Sequence, residues 1–523
     1  MILTNGRIHT LDPAYYGATA IAIRGEAILA TGGDHEIAAL ARSTEPRIDL
    51  AGRTVVPGLV DAHIHLYGYA ESRQWLDLRN LPSLEAALER IAARAAAAPT
   101  GHWILGRGWN QNQWPGRAFP TAGELDAAVP NHPALLIAHS GHAAWVNSAA
   151  LQRAGITDAT PDPAGGRIVR DTEGRATGIL LEEAIDLVDD MVEPLSISAA
   201  AEAVEQAIPS LWDAGVTAVH CMDGWLGFQA FQALHHQGEL GLRVVAYLPK
   251  EHLDEAIGLG LRSGDGDDWL RIGGLKLFAD GALGVRTAAL LKPYKGEPSN
   301  RGILTLEADE LSELGAQATA GGLSLAIHAI GDRANRMVID QLSRLSPPRA
   351  IPHRIEHVQL LHPHDLDRLR AHNITASMQP IHATSDMEMA ERHWGERTRY
   401  AYAWRSLLER GTRLAFGSDA PVEPVAPLLG LHAAVTRRRL DGQPGPAGWH
   451  PEQRLTLPQA LRAYTVGPAE AAGLGHKLGT LAPGKLADLV VLDRDIWEID
   501  PGEIPQMRVM GTMIGGRWVK SPD

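Results

Sequence analysis

A single cysteine, Cys221, stands in this chain of 523 residues, so no internal disulfide can form and nothing points to an oxidising compartment. Long apolar runs are missing as well: no stretch of about 18 uninterrupted apolar residues exists, so no membrane span is expected. Met1 to Asp12 contain no charged segment leading into an apolar one, as an export signal would, and the expected location is the cytoplasm. Basic charge is in deficit, 48 Lys and Arg against 62 Asp and Glu, for a formal net charge of -14. No Lys/Arg block relieves that deficit, which argues against nucleic acid as a partner and leaves a neutral or cationic small molecule as the better match. Glycine (54) and proline (33) fall well short of low-complexity levels, and 45% hydrophobic with 21% charged residues is ordinary for a globular protein. Global disorder, collagen and coiled coil are thereby excluded.

The length predicts roughly three to four domains unless one large α/β barrel absorbs most of the chain. Ala20 to Ile23 and Ala27 to Ala30 flank Arg24-Gly25-Glu26 and read as a hairpin. Near the other end, Val509 to Ile514 and Arg517 to Lys520 flank Gly515-Gly516, a second hairpin, with a strand at Ala487 to Leu492 before it. Both ends therefore read as pieces of one small β structure. Between them, strand-like runs alternate with helical patterns such as Leu84 to Ala98 and Ala199 to Ala214, the signature of a parallel sheet.

Eight barrel strands are predicted: Val55 to His65, Val216 to His220, Arg243 to Leu248, Leu270 to Phe278, Leu323 to His328, Arg354 to Val358, Ile374 to Gln379 and Arg413 to Asp419. Eight parallel strands close into a (β/α)8 TIM barrel. The stretch from about Tyr67 to Ser198 is too long for one connection and carries strand-like runs at Trp103 to Gly106 and Leu135 to His139. The expected organisation is α/β: a β-sandwich from 1–54 and 476–523, the barrel from 55–66 and 199–475, and an inserted cap over the barrel mouth from 67–198.

Histidines and one acid fall where barrel chemistry is done. His63 and His65 end the first strand, His328 the fifth and His357 the sixth, and Asp419 ends the eighth. Residues i and i+2 of a strand share a face, so His63 and His65 aim into one space, and the C-terminal strand ends of a barrel converge on its active face. Four imidazoles and a carboxylate suit Zn²⁺ or a similar divalent ion. Lys276 sits in the apolar run Gly274 to Phe278 on the fourth strand, where a lysine is costly unless paired or neutralised. Two readings stay open for it: a depressed or salt-bridged amine, with Asp280 as partner, and a carbamate formed with CO2.

Pro57-Gly58-Leu59-Val60-Asp61-Ala62-His63-Ile64-His65 resembles the first-strand signature of the amidohydrolase superfamily. Gly274 to Thr287, Ile327 to Arg333, Ile355 to His357 and Gly417 to Val422 resemble its YtcJ-like branch, which includes N-substituted formamide deformylases. The likeness runs over essentially the whole chain. It implies His63 and His65 on a more buried metal ion, His328 and His357 on a more exposed one, a carboxylated Lys276 as bridge, and Asp419 as ligand and base. Two divalent ions, zinc being the expected metal, would be the cofactors. An acidic residue is expected straight after His220, and Cys221 stands there instead, which leaves the role of His220 open.

A metal lowers the pKa of bound water to about 7, so hydroxide is available to attack an amide carbonyl, with Asp419 taking the proton and passing it to the leaving nitrogen. The expected activity is C–N hydrolysis of a small amide. Substrate contacts are expected from Trp109, His142, His382, Asp280 and Arg286, with Trp114 and Trp145 as further aromatic walls. His142 would hydrogen-bond the carbonyl oxygen. A deaminase of the superfamily would place Glu three residues after His328, where Gly331 stands, with Asp332 one position later. A lactone or ester hydrolase uses the same chemistry, and a catalytically inactive scaffold would show missing ligands. A homodimer is the expected assembly, two-fold dimers being the commonest.

Overall fold

The computed structural model describes residues 1–40, 45–348 and 351–522. Its largest sheet has eight strands, all parallel and in sequential order: Leu59–Ile64, Val216–Cys221, Arg243–Pro249, Leu270–Phe278, Leu325–Ala329, Arg354–His357, Thr375–Met378 and Leu414–Phe416. This is the TIM barrel expected from the alternating pattern. The strands are buried on both faces, as continuous apolar runs such as Leu325 to Ala329 require when helices cover the outside. The helix Ile197–Asp213, capped by Ser196 on Ala199 N, packs through Ala200, Val204, Ala207, Ile208 and Leu211, the three- and four-residue spacing that sets one face toward the barrel. Each large aliphatic side chain so buried contributes about 2 kcal/mol.

Strand 8 joins strand 1 without a regular ladder. The seam is closed instead at the C-terminal end: Asp419 N donates to His63 O at 2.7 Å and His65 N to Ala420 O at 2.8 Å. The Asp61 carboxylate adds bonds from Ser418 N at 2.9 Å and Ser418 Oγ at 2.5 Å. Gly417 makes this approach feasible, since a Cβ there would lie 2.4 Å from His63 N.

The first predicted strand is divided in two. Thr54–Pro57 pairs with Arg7–Ile8 and Leu489–Leu492 in a five-stranded sheet completed by Val509–Ile514 and Arg517–Lys520. Only Leu59–Ile64 enters the barrel. Gly58 is the turning point, with space for a Cβ taken by Thr217 Oγ1 at 2.3 Å, so the chain passes from one sheet to the other in a single residue. A four-stranded sheet, Ile2–Thr4, Ala20–Arg24, Ala27–Gly32 and Arg47–Asp49, shares a core with this one through Leu3, Ile21, Ile23, Val55, Leu489 and Val491. Arg243 of barrel strand 3 ties the two bodies together. Its Nε lies 2.6 Å and its Nη2 2.9 Å from the buried Asp488 carboxylate.

Between the first and second barrel strands lies a six-stranded sheet, in the order Gly166–Arg170, Ala176–Glu182, Ala143–Val146, Ala134–Ala138, Ile104–Trp109 and Leu76–Asp77. Trp109, Trp114 and Trp145 meet at ring-centroid distances of 6.1 to 6.5 Å and join the same continuous core as the barrel. Among the described residues, no helix is long and apolar enough to cross a membrane.

Candidate metal centre

His63, His357 and Asp419 converge so that one ligand atom from each lies within 4.8 Å of the others. The convergence begins with strand ends. His63 and His65 protrude at the end of strand 1, with Asp419 Oδ1 at 3.3 Å from His63 Nε2 and 3.5 Å from His65 Nε2. Asp419 has left the strand-8 ladder and holds φ at 61°, a left-handed turn that aims its carboxylate across the barrel axis. Burial works against its charge, yet His63 and His65 hold it well below the usual carboxylate range.

The second side of the cluster comes from strands 5 and 6. The His328 and His357 rings lie 4.5 Å apart, and His357 stands 4.8 Å from the His63 ring. Glu356 and His357 are consecutive, and plain strand alternation would send them to opposite faces. Left-handed backbone at His357 (φ 72°) and Val358 (φ 45°) ends the strand and turns His357 into the cluster, while Glu356 reaches His63 Nδ1 at 2.6 Å. His357 Nδ1 pairs with Gln379 Oε1 at 2.9 Å, so it carries the hydrogen and leaves Nε2 as the lone-pair nitrogen. Burial pushes both His328 and His357 well below the ordinary imidazole value and keeps them neutral, the state a ligand needs.

Lys276 is buried on strand 4, with Nζ 4.1 Å from the centroid of the Phe278 ring and no hydrogen-bond partner. Burial lowers its pKa to about 8. His63 Nε2 is likewise buried and without a hydrogen-bond partner. Unpartnered buried polar atoms are costly and rare. Two of them beside neutral imidazoles and an ionised carboxylate form a nitrogen and oxygen donor set that fits divalent metal.

Behind these groups stands a buried network. Arg354 is wholly enclosed, bonding Glu356 at 2.5 and 3.0 Å, Ala62 O at 2.6 Å, Ser377 Oγ at 2.6 Å and His220 Nδ1 at 2.7 Å. His220 thus accepts from Arg354, and burial together with that guanidinium keeps it neutral. Cys221 beside it is buried as well, its thiol pushed up by burial. The charged pair Arg354 and Glu356, two residues apart on a buried strand, was the available signal for this network.

The expected substrate contacts divide. His142 reaches the centre from the insertion, its ring 5.1 Å from that of His328, and its Nδ1 is held by Glu182 Oε2 at 2.6 Å. Thr287 in turn donates to Glu182. His382 faces Asp419 Oδ2 at 3.7 Å. Trp109 borders the cavity while its Nε1 is spent on Leu136 O at 2.7 Å. Trp114 and Trp145 donate likewise to backbone, to Leu81 O and Thr121 O, as packing residues of the insertion. Asp280 is fully buried, and its carboxylate accepts from Ala289, Ile330 and Gly331 N–H groups at 2.8 to 2.9 Å. It clamps the loop after strand 4 to the one after strand 5 and lies behind the centre, its Oδ1 3.5 Å from His328 Nε2, without lining either chamber. Arg286 is not brought to the centre; it pairs with Glu297 at 3.3 Å with both side chains part-exposed.

Two chambers meet at His142, His328, His357 and Asp419. The outer one contains His63, His65, Lys276 and Phe278 and has Glu183, Asp186 and Lys250 further out. The other, a side chamber, runs between barrel and insertion past Leu283, Val285 and Ile330 to Gln359, Met389 and Glu423.

A model of the amidohydrolase family matches residues 47–520. The chain is 36% identical over 479 residues to YtcJ of Bacillus subtilis (strain 168), covering 90% of each chain. It is 30% identical to an N-substituted formamide deformylase of Arthrobacter pascens, over 99% of this chain and 97% of the relative. Among solved structures, an uncharacterized metal-dependent hydrolase from Pyrococcus horikoshii OT3 is 31% identical with a TM-score of 0.78, covering 96% of this chain and 99% of that one.

Proposed function

The chain belongs to the amidohydrolase family, and from that membership we propose that it is a metal-dependent hydrolase cleaving the C–N bond of a small amide of the N-acyl or N-formyl amine type. The observation that carries this reading is the pair of buried, unpartnered donors, His63 Nε2 and Lys276 Nζ, among the strand-end ligands of one barrel mouth. The formamide deformylase relative supports the amide class. In this reading His63, His65, His328, His357 and Asp419 would hold two divalent ions, zinc being the proposed metal, and Lys276, carboxylated by CO2, would be a further oxygen donor between them. Such ions supply Lewis-acid polarisation of a carbonyl and lower the pKa of water toward about 7.

The chain's own residues do the rest. Asp419 accepts the proton of the attacking water and delivers it to the leaving nitrogen, so that one water is consumed and an acid and an amine are released. His142, oriented by Glu182, donates to the carbonyl oxygen as charge gathers there. The deaminase alternative is disfavoured by Gly331, where a Cβ would lie 1.9 Å from Ala289 O, and by Asp332, whose Oδ1 accepts Leu291 N at 2.8 Å, away from the chambers. A cytoplasmic homodimer is the proposed setting, on the lone cysteine and the commonness of two-fold dimers.

Elemental analysis of wild type and Lys276→Ala, run beside hydrolysis of N-acyl and N-formyl amines, tests this reading. About two metal equivalents, falling together with activity in the variant, is the outcome expected for a carbamate-bridged pair. Metal content and turnover unaffected by the substitution would make Lys276 structural, and no metal with no activity on adding zinc or manganese would overturn the assignment.

A further inference from the structure

The side chamber has apolar walls and an inner end made of hydrogen-bond acceptors. Glu423 is buried and borders the chamber. Burial opposes its charge, yet His139 and His382 hold its carboxyl below the usual range. Its contact with His139 Nε2 is a loose 3.8 Å, longer than a hydrogen bond, and Ser385 is its other side-chain contact. Gln359 lines the same chamber, 4% exposed, its Nε2 occupied by His382 Nδ1 at 3.3 Å and its Oε1 without a partner. Asp386, bonded by the Tyr402 hydroxyl at 2.5 Å, borders the same end. None of these groups has a part in the hydrolytic chemistry. A buried ionised carboxylate and an unsatisfied amide oxygen on residues lining one chamber make a site for a donor-bearing ligand, because the amide oxygen has no partner and the carboxylate has only the loose His139 contact and Ser385. The way in has the same sign: Glu182, Glu183, Asp186, Asp223 and Glu251 outnumber Arg107, Lys250 and Lys276 along the outer chamber, and such a lining favours the approach of cations.

We propose that the side chamber binds a primary ammonium group carried by the substrate at a distance from its scissile amide, with the Glu423 carboxylate as anchor and Gln359 Oε1 as second acceptor. The preferred substrates are then mono-acylated diamines or amides of ω-amino acids. This specificity rests on the amide-hydrolase reading, and binding separates the two. Calorimetry on the metal-loaded protein compares 1,5-diaminopentane with pentylamine, and kinetics compares N-formyl-1,5-diaminopentane and 6-aminohexanoyl amides with partners in which methyl replaces ammonium. Wild type is expected to favour the diamine, and at least one ammonium series, by about tenfold, as a charge-assisted hydrogen bond allows. In Glu423→Gln that ratio is expected to fall below about threefold. Working with ratios cancels any general loss of folding or activity. Should Glu423→Gln be unstable, Gln359→Leu serves and is expected to lower the ratio by about threefold. A diamine preference without hydrolysis of any amide would keep the chamber assignment and remove the amidase reading. Equal binding of the two amines by wild type, or a preference that persists in both variants, would overturn the proposal.

Discussion

Glu356 Oε2 lies 2.6 Å from His63 Nδ1, and both groups are buried beyond the reach of solvent. A carboxylate only accepts, so Nδ1 carries a hydrogen, and Nε2 is the ring nitrogen turned toward Asp419. Arg354 holds Glu356 by two bonds and keeps its carboxyl well below the ordinary value in spite of burial. The tautomer of His63 is therefore dictated three residues deep, by Arg354 through Glu356.

From that chain of contacts, Glu356→Gln is expected to lower metal affinity by about 10- to 100-fold, the usual effect of losing a carboxylate behind a ligating imidazole. Competition with a chelator measures it. Unchanged affinity would mean that His63 is oriented by packing alone.

His142→Ala is expected to reduce kcat by about 10²- to 10³-fold, the effect of losing one donor to a developing oxyanion, with metal content unchanged. Glu182→Gln should give part of that loss by releasing the His142 ring. A variant that sheds metal would instead assign His142 to the ligand set.

Arg243 and Asp488 are each almost wholly buried where barrel and sandwich meet, and Asp488 also accepts from Gly515 N at 2.8 Å. Removing one partner leaves an uncompensated charge, so Asp488→Ala should destabilise by about 3–5 kcal/mol. Pairing it with Arg243→Met should recover a large part of the loss. Denaturant midpoints of the two variants decide between an interaction that stabilises and one that only avoids a penalty.

His353 supplies a pH dependence away from the metal centre. Its Nδ1 accepts Leu325 N at 3.0 Å, and burial lowers its pKa to about 4. The folded chain therefore holds it neutral while the unfolded chain takes up a proton near 6.5. Its contribution is present in full above that value and is lost as pH falls toward 4, about 3 kcal/mol in all. His353→Asn keeps an acceptor without a titration, and its stability should fall less steeply over that window in denaturant unfolding at stepped pH.

The barrel could be read from the sequence because eight apolar runs with turn-flanked helical segments between them admit few other topologies, and the ligands could be read because they stand at strand ends. Residues 55–57 read as barrel because Val55-Val56 is as apolar as any buried strand; what diverts them is the contact between Gly58 and Thr217, 159 positions apart in sequence. Nothing in the sequence marks Glu356 beside His357, because strand alternation would send the two to opposite faces, and a left-handed residue at the strand end is invisible in composition. Asp280 and Arg286 share one Gly-rich turn in sequence, yet one is turned inward to three backbone amides and the other outward to Glu297.

The seam between strands 8 and 1 is fastened by the backbone of His63, His65 and Asp419 and by the Asp61–Ser418 contact, so three of the proposed ligands also lock the barrel shut. Metal held by these residues would brace the same seam that their backbone already closes. Substitutions at Ser418 or Asp61, which reach no substrate, would register in an activity assay as if they were catalytic, and a protein stripped of its ions would loosen first along this single line.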